Sequence, residues 1–342
     1  MKRLPIEDLE HIFENTQDIW ELFRGKSIFL TGGTGFFGKW LLESFIYVNE
    51  KLSLNAKITI LTRNPESFLF EYPFYNKYVN TVNFVKGDIL TYDFNLDEKF
   101  QYIIHAATEA SDSLIKENPL LMMDTITIGT RKILNFAIKH NLNGFLYVSS
   151  GAVYGKQPEH IESINETDSY NININDPNSA YAEGKRIAEL YCSTYSKKYK
   201  FPLKIVRCFA FVGPHLPLDT HFAIGNFIKS IISNENIIIK GDGTTIRSYM
   251  YASDLTTWLW KILFTGKENY PYNVGSNEKI TILELANLIK SFNPKIKLIV
   301  QGDKALFQDK YIPNVKRAKQ IGIEVKVDLY TAIEKTISYN KK

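Results

Sequence analysis

Tyr181 and Lys185, in YAEGK, and the serines of YVSSGAVYG (147–155) are the residues whose types and spacing could carry chemistry. Positions four apart share a helix face, so a phenol and an ammonium placed this way reach one substrate hydroxyl or carbonyl. A neighbouring positive charge lowers a phenol's pKa, which suits Tyr181 to act as a general base near neutral pH. Ser149 and Ser150 end an apolar, strand-like run, where a hydroxyl could share the same substrate oxygen.

A second stretch, FLTGGTGFFGKW (29–40), has Gly32, Gly35 and Gly38 between a strand-like run and a helix-like one, with Gly33 as an additional glycine. Glycine allows a tight turn and lets a pyrophosphate approach the amides of a helix N-terminus, where the dipole favours negative charge. In that context the pattern predicts a dinucleotide site. The end of the next strand should read the adenosine ribose, where a carboxylate would accept the 2′-hydroxyl and repel a 2′-phosphate. This chain has Thr62, Arg63 and Asn64 there instead. Arg63 can pair with a phosphate or stack on adenine, which leans the cofactor from NAD towards NADP. Asp88, in KGDI, suits either the adenine amino group or a cap.

The elements that must position these groups follow from periodicity. Strand-like runs at 27–32, 57–63, 82–88, 102–107, 144–150 and 203–209 alternate with helical ones at 37–50, near 119–140 and from Ala180 onward. Such alternation predicts βαβ units around a parallel sheet, and the nearly continuous apolar strands fit helices on both faces. Residues 6–23 read as an amphipathic helix that covers the main domain. The expected organisation is an N-terminal helical arm (1–25), a Rossmann-type α/β domain with a doubly wound parallel sheet (26–210), and a smaller substrate-binding lobe (211–342) partly returning to the main sheet.

Composition narrows the partners. The 342 residues carry 41 basic and 37 acidic side chains, a net charge of +4, with no block of like charge suited to nucleic acid. Anionic small molecules match this balance better than a polymer does. Cys192 and Cys208 form no CxxC pair, and the six histidines lack ligand spacing, so neither a disulfide framework nor a metal is expected. No apolar run reaches the ~18 residues of a membrane span, and no signal-peptide pattern opens the sequence, so a cytoplasmic location is expected.

Taken in order, TGGTGFFG (31–38), HAA (105–107), SSGAVYG (149–155), YAEGK (181–185), GDGTTIRSYMYASD (241–254) and YNVGS (272–276) resemble the extended short-chain dehydrogenase/reductases that act on nucleotide sugars. The likeness spans nearly the whole chain. It implies a Rossmann domain for NAD or NADP and a C-terminal lobe for a nucleoside-diphosphate sugar. The cofactor-binding set is then Gly32, Gly35, Phe36, Phe37, Gly38, Arg63, Asp88, Ile89, Ala106, Ala107, Ser149, Tyr181 and Lys185. By the same resemblance Tyr181 is the base, Lys185 holds the nicotinamide ribose, and Ser150 bonds the hexose 4-hydroxyl. Asn226 lies near the nucleotide, Arg247 pairs with the diphosphate, and Glu109 and His221 are further substrate candidates. Arg207 and Phe209 could line the site or simply pack. A homodimer through the helices near 119–140 and 180–199 is also implied by the resemblance alone.

The chain departs from its relatives in one informative place. Where the 4,6-dehydratases carry Thr-Asp-Glu, it has Ser150, Gly151 and Ala152, with no acid or base to eliminate water. The uronic acid decarboxylases share the YxEGKRxAE helix but also usually keep a Glu at the position of Ala152. Short neutral residues resemble the 4-epimerases, so the leading expectation is epimerisation through a transient 4-keto intermediate, serving surface polysaccharide synthesis. Decarboxylation of a nucleotide-linked uronic acid, 4,6-dehydration, keto-sugar reduction and a cofactor-sensing scaffold are the alternatives. Gly184 replaces a serine common in relatives without touching Tyr181 or Lys185.

Overall fold

A computed structural model describes residues 2–108, 117–219, 222–303 and 309–341. The chain divides into two units that interleave along the sequence. The first holds 1–153, 173–207 and 256–271, and the second holds 154–172, 208–255 and 272–342. Residues 154–172 thus group with the C-terminal segments, and 256–271 with the N-terminal ones.

The main sheet is built of β1 (Ser27–Thr31), β2 (Lys57–Thr62), β3 (Val82–Lys86), β4 (Tyr102–His105), β5 (Gly144–Ser150), β6 (Leu203–Cys208) and β11 (Pro271–Val274). Their order is β11-β6-β5-β4-β1-β2-β3. The β1–β2, β1–β4, β2–β3 and β4–β5 pairs are parallel, with Thr31 opposite both Leu61 and His105. This is the doubly wound order, and it places the chain reversal between β1 and β4, where open α/β sheets bind ligands beyond their strand ends.

Helices follow local signals. Asn64 caps α3 (Pro65–Glu71) by accepting the Ser67 N–H at 2.9 Å, and Asn118 caps α4 (Pro119–Ala137) through the Leu121 N–H at 3.0 Å, each with Pro at the first position. The N-terminal segment departs from the single helix expected over 6–23. α1 spans Ile6–Glu14 only, and the chain turns before a short 3₁₀ helix at Trp20–Phe23. Side chains at the break compete for helical carbonyls: Asn15 donates to the His11 carbonyl at 2.8 Å and Thr16 to that of Ile12 at 2.5 Å. Thr16 then accepts the Trp20 indole N–H at 2.7 Å. The apolar positions Leu9, Ile12, Ile19, Trp20 and Phe23 are nonetheless all buried.

Aromatic groups fill both sides of the sheet. Phe29, Phe94, Phe100 and Phe136 pack together below α4, while Trp20, Phe23, Tyr102, Trp260 and Phe264 interlock on the other side. α2 (Phe36–Leu52) and α5 (Ala180–Tyr199) complete the covering, and α4 packs along α5.

In the second unit, α6 (Ala223–Ser233) packs on α8 (Ile282–Lys290), the chain having passed through α7 (Ala252–Thr265). Its strands are short and paired two by two. β7 (Phe211–Val212) runs parallel to β10 (Met250–Tyr251), and β8 (Ile237–Ile239) runs parallel to β13 (Leu298–Val300). β9 (Ile246–Arg247) pairs antiparallel with β12 (Ile280–Thr281). Asn273 is the polar hub of this unit. It accepts the Tyr154 hydroxyl at 2.6 Å, donates to the carbonyls of Ile164 and Asn314 at 2.8 and 3.0 Å, and its N–H reaches Glu166 at 3.0 Å. The Asp254 carboxylate likewise holds the backbone N–H groups of Lys326 and Val327, each at 2.9 Å. Both motif residues, in YNVGS and YASD, therefore have structural roles. Among the described residues, no helix is long and apolar enough to cross a membrane.

Candidate active site

The glycine loop joins β1 to α2, and two of its glycines are required by close approach. Gly32 has φ of +75°, and a Cβ there would lie 2.6 Å from the Ala106 carbonyl oxygen and 2.9 Å from the Ala107 nitrogen. A Cβ on Gly38 would strike the Gly32 and Gly33 backbone, so α2 can pack on the loop only as glycine. Gly35 is different. It is exposed, has φ of −80°, and a Cβ would meet only the Gly32 carbonyl at 3.4 Å. The protein's own packing leaves room at Gly35, at the N-terminus of a helix of 17 residues. The first N–H groups of α2 have no acceptor within the helix, which favours an anion at its N-terminus.

Behind the loop, His105 ties three elements together. The Thr31 hydroxyl accepts the Ala107 N–H at 3.2 Å and lies 2.7 Å from His105 Nδ1, and His105 Nε2 lies 2.9 Å from the Thr130 hydroxyl. Burial, with the Lys185 charge adding to it, pushes the His105 pKa down to about 3, so the ring is neutral. His105 thereby sets the backbone of Ala106 and Ala107 against Gly32.

Lys185 is buried on α5, one turn beyond Tyr181. Its ammonium donates to the Val148 carbonyl and to the Thr108 hydroxyl, each at 2.8 Å, and lies 5.1 Å from the centroid of the Tyr147 ring. Two hydrogen bonds and an aromatic face make a buried cation tolerable there. Tyr147, beside this charge, and Tyr181, one turn earlier on α5, differ in burial. Tyr147 is enclosed and its pKa is pushed well above the usual value, by burial first and then by Cys192, Glu189 and Tyr181, so it stays protonated. Tyr181 is only half-buried, at the edge of the same cluster.

The two serines point to different work. Ser149 donates to Glu189 at 2.6 Å, and Arg207 clamps the same carboxylate through Nε at 3.0 Å and Nη2 at 2.7 Å. This pins the ends of β5 and β6 to α5, and it commits the Ser149 proton to Glu189 and Arg207 to packing. Ser150 accepts the Ala152 N–H at 3.1 Å, opening the 3₁₀ turn Gly151–Tyr154, and among the described residues its own O–H has no acceptor. Gly151 and Ala152 bring no carboxyl group beside it.

The other expected contacts are placed as follows. Phe36 and Phe37 form the first turn of α2. Ile89 is buried in the core cluster below α4, and one Asp88 carboxylate oxygen accepts the Leu90 N–H at 2.8 Å, an Asx turn. Arg63 is exposed just past the end of β2. In the second unit Asn226 is exposed on α6, and Arg247 on β9 is ion-paired with Asp309 at 2.6 Å. Glu109 and His221 lie outside the described residues. Thr31, Thr108, Thr130 and Glu189 were not expected. Glu189 follows Lys185 by four residues, a spacing that could have marked it, whereas the threonines give no local signal.

A family model described as NAD dependent epimerase/dehydratase matches residues 28–275. The chain belongs to that family. The family is one of enzymes, and the chain's resemblance to the extended short-chain dehydrogenase/reductases that act on nucleotide sugars agrees with it and with the fold. UDP-glucuronic acid decarboxylase 6 of Arabidopsis thaliana is 29% identical over 310 residues, covering 88% of this chain and 85% of the relative. Among solved structures, the UDP-glucose 4-epimerase of Thermotoga maritima superposes with a TM-score of 0.78 at 21% identity, over 92% of this chain and 98% of the other. The UDP-glucuronic acid 4-epimerase of Bacillus cereus, solved with UDP-glucuronic acid and NAD, gives 0.77 at 20% identity, over 92% and 99%.

Proposed function

We propose that this enzyme epimerises a nucleoside-diphosphate sugar at C4. The observation that supports the reading is the neutral Ser150-Gly151-Ala152 sequence at the end of β5, the strand to which Lys185 is tied through the Val148 carbonyl: with Tyr181 it can exchange a proton at one hydroxyl but has no acid–base pair for elimination. A nicotinamide dinucleotide, NAD or NADP, would be held by Gly32, Gly35, Gly38 and Lys185, and supplies a reversible hydride acceptor. Arg63 leans that choice towards NADP.

Tyr181 removes the proton of the 4-hydroxyl as its C–H bond is broken, and returns it after the 4-keto ring has turned its other face. Lys185, fixed by Val148 and Thr108, keeps a positive charge beside the phenol and favours its ionised form. Ser150 donates to the same sugar oxygen and orients it. Arg247 and Asn226 bind the nucleotide part, with the Arg247 guanidinium shared between Asp309 and the diphosphate. Ser149 acts through Glu189 and Arg207 by holding the end of β5 in register.

Decarboxylation is the second reading, favoured by the UDP-glucuronic acid decarboxylases among the relatives, which match at 27 to 29% identity. Oxidation of a uronic acid at C4 makes it a β-keto acid, which loses carbon dioxide without an added base at the Ala152 position. The protein is proposed to act in the cytoplasm, where Cys192 and Cys208 stay free. NMR of the products from UDP-glucose, UDP-N-acetylglucosamine and UDP-glucuronic acid tests the reading. A 4-epimer is expected; a pentose with released carbon dioxide assigns the decarboxylase instead. Tyr181→Phe should lower kcat by about 10²–10⁴-fold with either product, and full turnover by that variant would overturn the assignment of the base.

A further inference from the structure

Ser150 ends β5, and the 3₁₀ turn Gly151–Tyr154 follows it directly. Its Oγ accepts the Ala152 N–H at 3.1 Å, so the hydroxyl is placed only as firmly as the turn itself. Three side chains of α5 hold this stretch. Lys185 donates to the Val148 carbonyl at 2.8 Å, Glu189 accepts the Ser149 hydroxyl at 2.6 Å, and Arg186 Nε donates to the Val153 carbonyl at 2.6 Å. The first two act on the strand before Ser150. Arg186 acts on the turn after it.

Successive residues of a helix point about 100° apart, so Lys185 and Arg186 reach different carbonyls from adjacent positions. Val153 is buried, and a charged donor makes a stronger bond to its carbonyl than a neutral one would. The same guanidinium donates through Nη1 to Glu183 at 3.1 Å, three residues back along α5. With Nε on a carbonyl and Nη1 on a carboxylate, the planar fork has both its position and its plane set. Tyr181 lies on the same helix, two residues before Glu183. The helix that carries the phenol thus holds the backbone on either side of Ser150.

We propose that Arg186 is a positioning residue for the reaction: by stapling the Val153 carbonyl to α5 it holds the 3₁₀ turn, and through the turn the Ser150 hydroxyl, in register with Tyr181. Glu183 keeps the guanidinium in place for that task. The proposal rests on the reading of Ser150 as the donor to the sugar oxygen. It is independent of which nucleotide or nicotinamide cofactor is bound.

The test is a double-mutant cycle between Arg186 and Ser150, run on whichever of UDP-glucose, UDP-N-acetylglucosamine and UDP-glucuronic acid the wild type converts. Arg186→Met keeps an apolar stem and removes every donor. It should lower kcat by about ten- to a hundredfold, the loss expected when a reacting group is misplaced by about an ångström, with KM moving less than about threefold. Arg186→Lys can serve the carbonyl or the carboxylate but not both, and should recover part of that loss. In a Ser150→Ala background, Arg186→Met should cost less than about twofold more, because the group it positions is gone. Losses that simply multiply, or wild-type kcat in Arg186→Met, would overturn the proposal. Ser150→Ala at full turnover would instead overturn the reading of Ser150 on which it rests. A measurement without substrate keeps the two apart: hydrogen exchange across 148–154, followed by mass spectrometry, should quicken in Arg186→Met. Unchanged exchange there would overturn the staple even if none of the three sugars is converted, a result that by itself would overturn the C4 reading. Should Arg186→Met melt early, Arg186→Lys and Glu183→Gln carry the same cycle with the charge or the shape retained.

Discussion

His105 shows how a single side chain can matter to a site it does not enter. It is buried neutral between Thr31 and Thr130, with its pKa pushed down to about 3 by burial and by Lys185. In the unfolded chain the same ring titrates near ~6.5. Between those values the unfolded state binds a proton that the folded state refuses, so stability is present above the unfolded pKa and falls as pH drops. His140, held down to about 4 by burial and by Lys99 and Lys139, adds to the same trend. Urea unfolding of His105→Gln between pH 6.5 and 4 should show a shallower pH dependence, by up to about 1.4 kcal/mol per pH unit. An unchanged slope would mean that His105 is not buried as a neutral ring. The residue is visible in the sequence only as part of HAA, because its partners lie on β1 and α4.

At the scale of elements, two helical glycines give opposite expectations. Gly38, in the first turn of α2, has backbone where a Cβ would go, while at Gly184 on α5 a Cβ would meet Ile126 side-chain atoms at 3.4–3.5 Å, an ordinary contact. Gly184→Ala should therefore stabilise the protein by about 0.5–1 kcal/mol through helix propensity alone. Gly38→Ala should lower Tm or abolish dinucleotide binding, since α2 must back away from the loop. Thermal melts with and without cofactor check both. A Gly184→Ala variant that melts lower would show that α4 and α5 are packed more tightly than these distances allow. The strands and the long helices are legible in the sequence because their periodicity is local. The break of the N-terminal helix after Glu14 is not, because Asn15 and Thr16 turn the chain while the apolar spacing continues through it.

For the whole molecule, the outer faces of α4 and α5 carry exposed apolar side chains: Leu121 and Ile128 on one helix, Ile187 and Leu190 on the other. Residues at these spacings make one stripe on each helix. We infer that they form the subunit contact of a homodimer. Light scattering should give twice the monomer mass for the wild type, and Leu190→Glu should shift it towards the monomer. A wild-type monomer at working concentration would end that inference. The variant is placed on an exposed position, so loss of folding would not be the expected cause of the shift.

What the sequence determines by itself is everything that depends on near neighbours along the chain. The βα rhythm, the glycine loop, the Tyr181–Lys185 spacing and the missing carboxylates at Thr62 and Ala152 are all local patterns, and each is readable from the order of residues alone. Tertiary structure decides what is made from distant residues. Ser149 meets Glu189 and Arg207, Lys185 meets Thr108, Arg247 meets Asp309, and Asn273 gathers segments near Ile164 and Asn314. The same holds for the grouping of 154–172 with the C-terminal segments. A hydrogen bond between residues far apart in sequence leaves no periodicity behind it. Only the path of the folded chain brings those partners within reach.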